Sequence, residues 1–125
     1  MDTNLPSAIL NNMVTATLIL DDGLAIRYAN PAAELLFSQS AKRIIEQSLS
    51  QLIQHASMDL ALLTQPLQSG QSITDSDVTF IVDGKPLMLE VTVSPITWEK
   101  QLMLLVEMRK IDQQRRLTQE LNQHA

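Results

Sequence analysis

The sequence predicts an α+β fold: a five-stranded antiparallel sheet with short helices on one face, flanked by N- and C-terminal helices. Two observations lead to this class. Residues 78–108 contain two stretches in which apolar and polar residues alternate, followed by a more continuously apolar one, as strands require. Residues 31–69 instead carry several helix-start signals, each followed by apolar residues at helical spacing. Strands at both ends of a run of short helices indicate one α+β domain.

Three segments are predicted along the 125 residues. Residues 15–110 form the α+β domain, which is long enough to enclose a hydrophobic core. Residues 1–14 form an N-terminal amphipathic helix, because Leu5, Ile9 and Met13 recur at helical spacing. We expect these three residues to mediate dimerisation, and a flexible arm is the alternative.

Residues 111–125 are predicted to begin a coiled-coil helix that carries a signal out of the domain. Ile111 and Leu121 occupy heptad-compatible positions, and Leu117 lies beside them. A single helix of this length is marginal in water, so a frayed tail is the alternative. We favour the coiled coil because the apolar pattern is unfinished at residue 125.

The first hairpin is predicted from two apolar stretches, Thr17–Leu20 and Leu24–Tyr28, which an Asp-Asp-Gly turn separates. Asn30 follows the second strand and is suited to accept hydrogen bonds from the first turn of a helix. Pro31 then occupies the first helical position, where its missing N–H is no loss. Because a residue before proline avoids the helical conformation, Asn30 itself stays outside the helix.

Short helices are predicted to follow this corner. The first has Ala33, Leu36 and Phe37 on one apolar face. Ser40 and Ser48 are the predicted N-caps of two more.

A longer helix is predicted from Ser57 to a stop at Gly70. Pro66 is expected to kink or break it, because proline removes a backbone hydrogen bond. Its apolar face comprises Leu60, Leu63 and Leu67.

The second half of the chain has the period of strands. Val78–Val82 and Leu87–Val93 alternate apolar and more polar residues on either side of an Asp-Gly hairpin turn. Residues 101–108 form a third, more buried strand.

The composition limits the possible functions. The chain has 9 basic and 14 acidic residues and a net charge of −5, which argues against a nucleic-acid partner. It has no cysteine, so disulfides, thiolate metal sites and thiol catalysis are excluded. Its apolar stretches are shorter than the ~20 residues of a membrane span, and no secretory signal is visible at the start. We therefore expect a cytoplasmic protein without membrane or nucleic-acid contacts.

Residues for catalysis or metal binding are few. His55 and His124 lie outside any catalytic motif, and no glycine-rich phosphate loop is present. Asp75 and Asp77 lack the further ligands of a calcium loop and are interpreted as charges that protect a strand edge. We predict no catalytic residues, no metal and no cofactor; haem ligation by His55 is the alternative.

A ligand, if one binds, is expected between the sheet and the helix over residues 57–69. The residues that are expected to face this cavity are nearly all aliphatic, and few polar groups are present to orient a ligand. The predicted lining residues are Tyr28, Leu36, Met58, Leu62, Leu89 and Leu104.

Three stretches resemble the N-terminal PAS domain of the nitrogen-regulation sensor histidine kinases of the NtrB type. They are LAIRYANPAA at residues 24–33, residues 78–93 with their Val-Asp-Gly turn, and DQQRRLTQE at residues 112–120. The strand, turn, strand and Asn-Pro helix opening is typical of PAS domains in general. The resemblance covers residues 8–123.

The resemblance implies a PAS-like fold in a cytoplasmic two-component kinase that controls nitrogen assimilation. In that family the domain precedes a kinase core that uses ATP and Mg, phosphorylates a response regulator and is controlled by the P-II signal protein. The catalytic residues of such a kinase would lie beyond residue 125, so residues 1–125 are expected to have no enzymatic activity.

Two functions are therefore expected. In the first, the domain is a regulatory module that forms a homodimer and transmits its state through the last strand into residues 111–125. In the second, it is a small-molecule or cofactor sensor whose ligand occupies the cavity between sheet and helices.

Overall fold

The computed structural model describes residues 14–111, in which six antiparallel strands form one curled sheet with short helices on one face. The strands lie in the order β2-β1-β6-β5-β4-β3. In chain order they are β1 Ala16–Leu20, β2 Ile26–Ala29, β3 His55–Ala56, β4 Ile73–Val82, β5 Lys85–Trp98 and β6 Gln101–Lys110. The first and last strands are neighbours, with Ala16 opposite Met108. The α+β class is confirmed.

The predicted number of five strands is wrong. The sixth strand, β3, has only two residues, which pair with Phe80 and Ile81 of β4. A two-residue strand has no alternation of apolar and polar residues, so no periodic signal marks it in the sequence. The predicted flanking helices fall mainly on residues 1–13 and 112–125, which lie outside the described residues, as do Leu5, Ile9, Met13, Leu117 and Leu121.

The first three helices begin where their cap residues predict. They are α1 Pro31–Phe37, α2 Ala41–Ile45 and α3 Leu49–Leu52. Asn30, Ser40 and Ser48 each accept a backbone N–H from the first turn through the side chain. Gln51 completes a capping box, because its side chain accepts the backbone N–H of Ser48 at 2.9 Å. Local cap chemistry therefore sets these three boundaries.

The predicted helix from Ser57 is instead two shorter ones. A 3₁₀ helix spans Leu60–Thr64, and α4 spans Gln65–Ser69, with Pro66 in its first turn. Asp59 caps the 3₁₀ helix through a 3.0 Å bond from the Ala61 N–H. The Ser57 hydroxyl accepts the backbone N–H of Thr79 at 2.9 Å, so it belongs to the sheet edge and is not a helix cap. The expected break near Pro66 is present, and it lies just before the proline.

Two irregularities shape the sheet. The β1–β2 register shifts between Ile19 and Leu20, so that Tyr28 lies opposite Ile19 while Ile26 lies opposite Leu20. The β4–β5 register shifts between Asp75 and Val78, which is a β-bulge at the exposed start of β4. Each bulge changes which face of the sheet the following side chains occupy.

The helices cover one face of the sheet, here called the inner face, and the main core lies beneath them. It combines inner-face strand residues with Ala33, Phe37, Ile44, Leu49, Leu52 and Leu63 from the helices. A smaller cluster, here called the outer cluster, lies on the opposite face and consists of Ile19, Ile96, Trp98, Met103 and Leu105. Among residues 14–111, no helix has the length and apolarity that a membrane span requires.

Candidate functional site

A cavity of about 160 Å³ lies between the inner face of the sheet and the 3₁₀ helix. The 3₁₀ helix contributes Leu62 and Leu63, while β4 and β5 contribute side chains that alternate with outward-facing ones. The strand residues in its apolar wall are Ile73, Val78, Phe80, Val91 and Val93. A cavity of this size and lining accommodates a small apolar molecule.

The polar residues around this cavity are at exposed positions, and two of them form hydrogen bonds with neighbours. The Thr74 hydroxyl lies 3.0 Å from the Thr92 hydroxyl. Asp75 accepts the backbone N–H of Asp77 at 3.1 Å, within the bulge of β4. Gln65, at the start of α4, is the third polar residue of the lining and is also exposed. The buried part of the wall therefore offers apolar contact and no fixed charge.

The structure brings two of the six predicted pocket residues to this cavity. Met58 and Leu62 line it. Leu89 and Leu104 are fully buried in the main core and do not reach the cavity wall. Leu36 is partly buried and lines a different depression, beside α1. Ligand binding by any of these residues stays a prediction.

Tyr28 lies on the other face of the sheet. Its ring packs against Trp98, with centroids 6.0 Å apart and planes at 56°, beside the outer cluster. Strict alternation from Ile26 would have kept Tyr28 on the inner face, and the β1–β2 register shift moves it to the outer face. Partial burial there raises the pKa of the Tyr28 hydroxyl.

The missed lining residues follow a simple pattern. Val78 and Phe80 alternate on β4, and Val91 and Val93 alternate on β5. The alternation was readable in the sequence, but the position of the cavity along the strands depends on where the 3₁₀ helix packs. Alternation in the sequence therefore indicates the apolar face of β4 and β5, but not which part of that face borders the cavity.

Asn30 joins the first strand to the first helix. Its Oδ1 accepts the backbone N–H groups of Ala33 and Thr17, both at 2.9 Å. Its Nδ2 donates to the carbonyl of Thr15, also at 2.9 Å. The side chain is fully buried, so the predicted cap is also a connection between β1 and α1.

The end of β6 is held to β5 up to the last described residue. The backbone N–H of Ile111 donates to the carbonyl of Met88 at 2.9 Å. Arg109 forms a 2.7 Å salt bridge with Glu90 across the two strands. The hydrogen bond to the Glu90 carboxylate, and then its charge, raise the pKa of Arg109. Ile111, where the predicted output helix starts, is thus fixed to the sheet.

The residues considered for metal or haem chemistry lie apart. His55 is exposed on β3 and does not line the cavity. Asp75 and Asp77 are exposed at the start of β4. Within residues 14–111, no group of three or more His, Cys, Asp or Glu side chains is placed to hold a metal ion.

Comparison with known proteins gives a consistent family. A model described as the PAS fold matches residues 4–111. The chain is 94% identical over 125 residues to a sensory histidine kinase/phosphatase NtrB from Vibrio alginolyticus, and 41% identical over 117 residues to one from Escherichia coli O157:H7. These matches cover 100% and 94% of this chain but 36% and 33% of the relatives, so the chain spans about a third of their length.

Solved structures agree with this result. The crystal structure of the PAS domain of nitrogen regulation protein NR(II) from Vibrio parahaemolyticus is 94% identical in sequence, with a TM-score of 0.78. That match covers 87% of this chain and 100% of the solved one. A PAS domain from another two-component sensor histidine kinase matches at 18% identity with a TM-score of 0.67, which supports the fold alone.

Proposed function

Because this chain belongs to the PAS family, and within it to the PAS domains of NtrB-type sensory histidine kinases, we propose that it regulates such a kinase by dimerising and transmitting its state through β6. The regulated process would be nitrogen assimilation. The catalytic groups and the ATP and Mg site belong to the kinase core beyond residue 125. A response regulator and the P-II signal protein are the proposed partners of the whole cytoplasmic kinase.

The attachment of Ile111 to Met88 is the observation that supports transmission. Since β5 and β6 stay paired up to this residue, a movement of the sheet shifts the start of the following segment directly. In a two-helix coiled coil, that shift changes the register or crossing angle that the kinase core receives.

Insertions in the parent kinase test this route. Adding seven residues after Ile111 keeps the heptad phase, whereas adding four rotates everything that follows. We expect the seven-residue insertion to preserve the balance of kinase and phosphatase activity and the four-residue insertion to alter it. Equal effects of the two insertions would contradict transmission through a coiled coil.

For dimerisation, we propose that residues 5–13 form a helix that packs on the outer cluster and meets the same helix of a second protomer. The outer cluster supports this because it consists only of strand residues, on the face away from the helices of residues 14–111.

Light scattering tests whether this segment forms the dimer interface. Ile9→Asp is expected to halve the measured mass, while Asn11→Asp adds the same charge to the same segment and leaves the dimer intact. An unchanged mass after removal of residues 1–14 would exclude the segment from the interface.

A ligand-sensing function is the second candidate, and the apolar cavity of about 160 Å³ favours it. A small apolar compound bound there would press on the 3₁₀ helix through Leu62 and Leu63. Native mass spectrometry of the purified protein, with a visible absorption spectrum for haem or flavin, tests this function. A carried ligand or an absorption band above the aromatic range would support it, and benzene titration without NMR shifts at Leu63 would contradict it.

A further inference from the structure

A second apolar surface lies beside α1, away from the cavity and from the outer cluster. It consists of two depressions, of about 430 and 270 Å³. Both are lined by Leu35, Leu36 and Lys110, so they adjoin each other, and together they are here called the α1 groove. Val14 lies at one end of it, and Lys85 at the other.

Two apolar residues of this groove are more exposed than the fold requires. Leu35 is 83% exposed and Val14 is 95% exposed. The buried side of α1 carries Ala33 and Phe37, so the core gains nothing from a leucine at position 35. An exposed apolar patch rimmed by polar residues is typical of an interaction site.

The groove also carries two lysines, Lys85 and Lys110, that form no ion pair within residues 14–111. Lys110 is opposite the inner-face residue Leu89, and Lys85 is opposite Val82, so both lysines rise from the end of the inner face. Neither forms an ion pair with any other residue between 14 and 111. One carboxylate, that of Asp83, lines the same groove and accepts a 3.3 Å bond from Gln39. In a chain of net charge −5, this local excess of cations favours an acidic partner.

The backbone around the groove favours a helical partner over an extended one. Both β5 and β6 have strand neighbours on either side, so neither offers an edge to which a peptide strand could pair. A helix satisfies its own backbone groups. The seven residues of α1 extend about 10 Å, and side chains four apart on a partner helix are separated by about 6 Å.

We propose that the α1 groove binds an amphipathic helix of a partner protein, with two apolar residues four positions apart and carboxylates beside them. The apolar pair would contact Leu35 and Leu36, and the carboxylates would pair with Lys85 and Lys110. This site shares no lining residue with the cavity or with the outer cluster, and it stands independently of the function proposed above.

Binding is tested with the full chain and a labelled helical peptide of alanine and glutamate that carries two leucines four positions apart. We expect fluorescence anisotropy to give a Kd below about 1 mM. Leu35→Asp should weaken binding at least about tenfold. Leu102→Asp is the matched control, because Leu102 is an exposed leucine (53%) that lines neither the groove nor the cavity, and it should leave the affinity unchanged.

The charge requirement is tested by reversal, with circular dichroism to verify that each variant is folded. The double variant Lys85→Glu and Lys110→Glu should lose the glutamate peptide and gain a version in which lysine replaces glutamate. This pair of lysines is exposed, so it also tests the proposal if Leu35→Asp fails to fold. The absence of binding up to about 1 mM, equal loss in Leu102→Asp, or no effect of charge reversal would each overturn the proposal. Concentration-dependent NMR shifts at Leu35 without peptide would assign the groove to a second copy and overturn it too.

Discussion

Replacing Asn30 with alanine is expected to lower the free energy of unfolding by about 3 kcal/mol. The substitution removes three hydrogen bonds of 2.9 Å from a fully buried position. Loss of the bond from the Ala33 N–H is loss of a helix N-cap, which costs about 1 kcal/mol. Loss of the bond from the Thr17 N–H leaves a buried donor without a partner, which costs about 2 kcal/mol.

The third bond contributes little to this sum. The carbonyl of Thr15 also accepts the Thr17 hydroxyl at 2.9 Å, so it keeps a partner when the Asn30 amide is removed. A loss of about 3 kcal/mol is a large part of the ~5–15 kcal/mol that stabilises a typical domain. The variant should therefore fold and be much less stable.

Urea denaturation followed by circular dichroism measures the effect through the midpoint concentration at unchanged slope. Ser40→Ala is the control, because Ser40 is an exposed cap whose side chain accepts only the Arg43 N–H, at 3.2 Å. It should cost about 1 kcal/mol or less. If Asn30→Ala costs no more than Ser40→Ala, the proposed connection between β1 and α1 contributes nothing to stability.

Three further substitutions test other parts of the structure. Glu99 and Lys100 form the β5–β6 turn with φ of 50° and 65°, which are strained values for these residue types. Replacing them with Asn and Gly should raise the urea midpoint by the equivalent of about 1–2 kcal/mol. A lower midpoint would show that this turn is not strained. Val91→Ile adds a methylene beside the cavity and should stabilise by about 0.8 kcal/mol in the same assay, while Val106→Ile, in the packed core, should destabilise. Asp75→Thr removes a charge from the exposed start of β4 and should increase aggregation in light scattering, and unchanged scattering would show that this edge needs no protection.

Sequence predicted best what local chemistry decides. The caps at Asn30, Ser40 and Ser48 were readable because a side chain and a backbone N–H within three residues set them. The predicted cap at Ser57 is wrong because its hydroxyl accepts the backbone N–H of Thr79, which is 22 residues away. No pattern within residues 57–69 indicates that a residue of β4 forms this hydrogen bond instead of a helix turn.

The candidate site was predictable only in part for the same reason. Alternation identified the apolar face of β4 and β5, and Met58 and Leu62 do line the cavity. The face of the sheet on which Tyr28 lies depends on the register shift between β1 and β2. The charged groove beside α1 had no sequence signal, since Leu35, Lys85 and Lys110 meet only after the sheet has formed.

The pairing of Ala16 with Met108 has a consequence for how such domains are used. Because the first and last described strands are antiparallel neighbours, the chain enters the domain at Ala16 and leaves it at Met108 side by side. A domain built this way can be inserted into a longer protein, or exchanged for a relative, without separating the segments on its two sides. Chimeric proteins joined just before Ala16 and just after Lys110 should therefore exchange the domain and keep the spacing between the two segments that flank it.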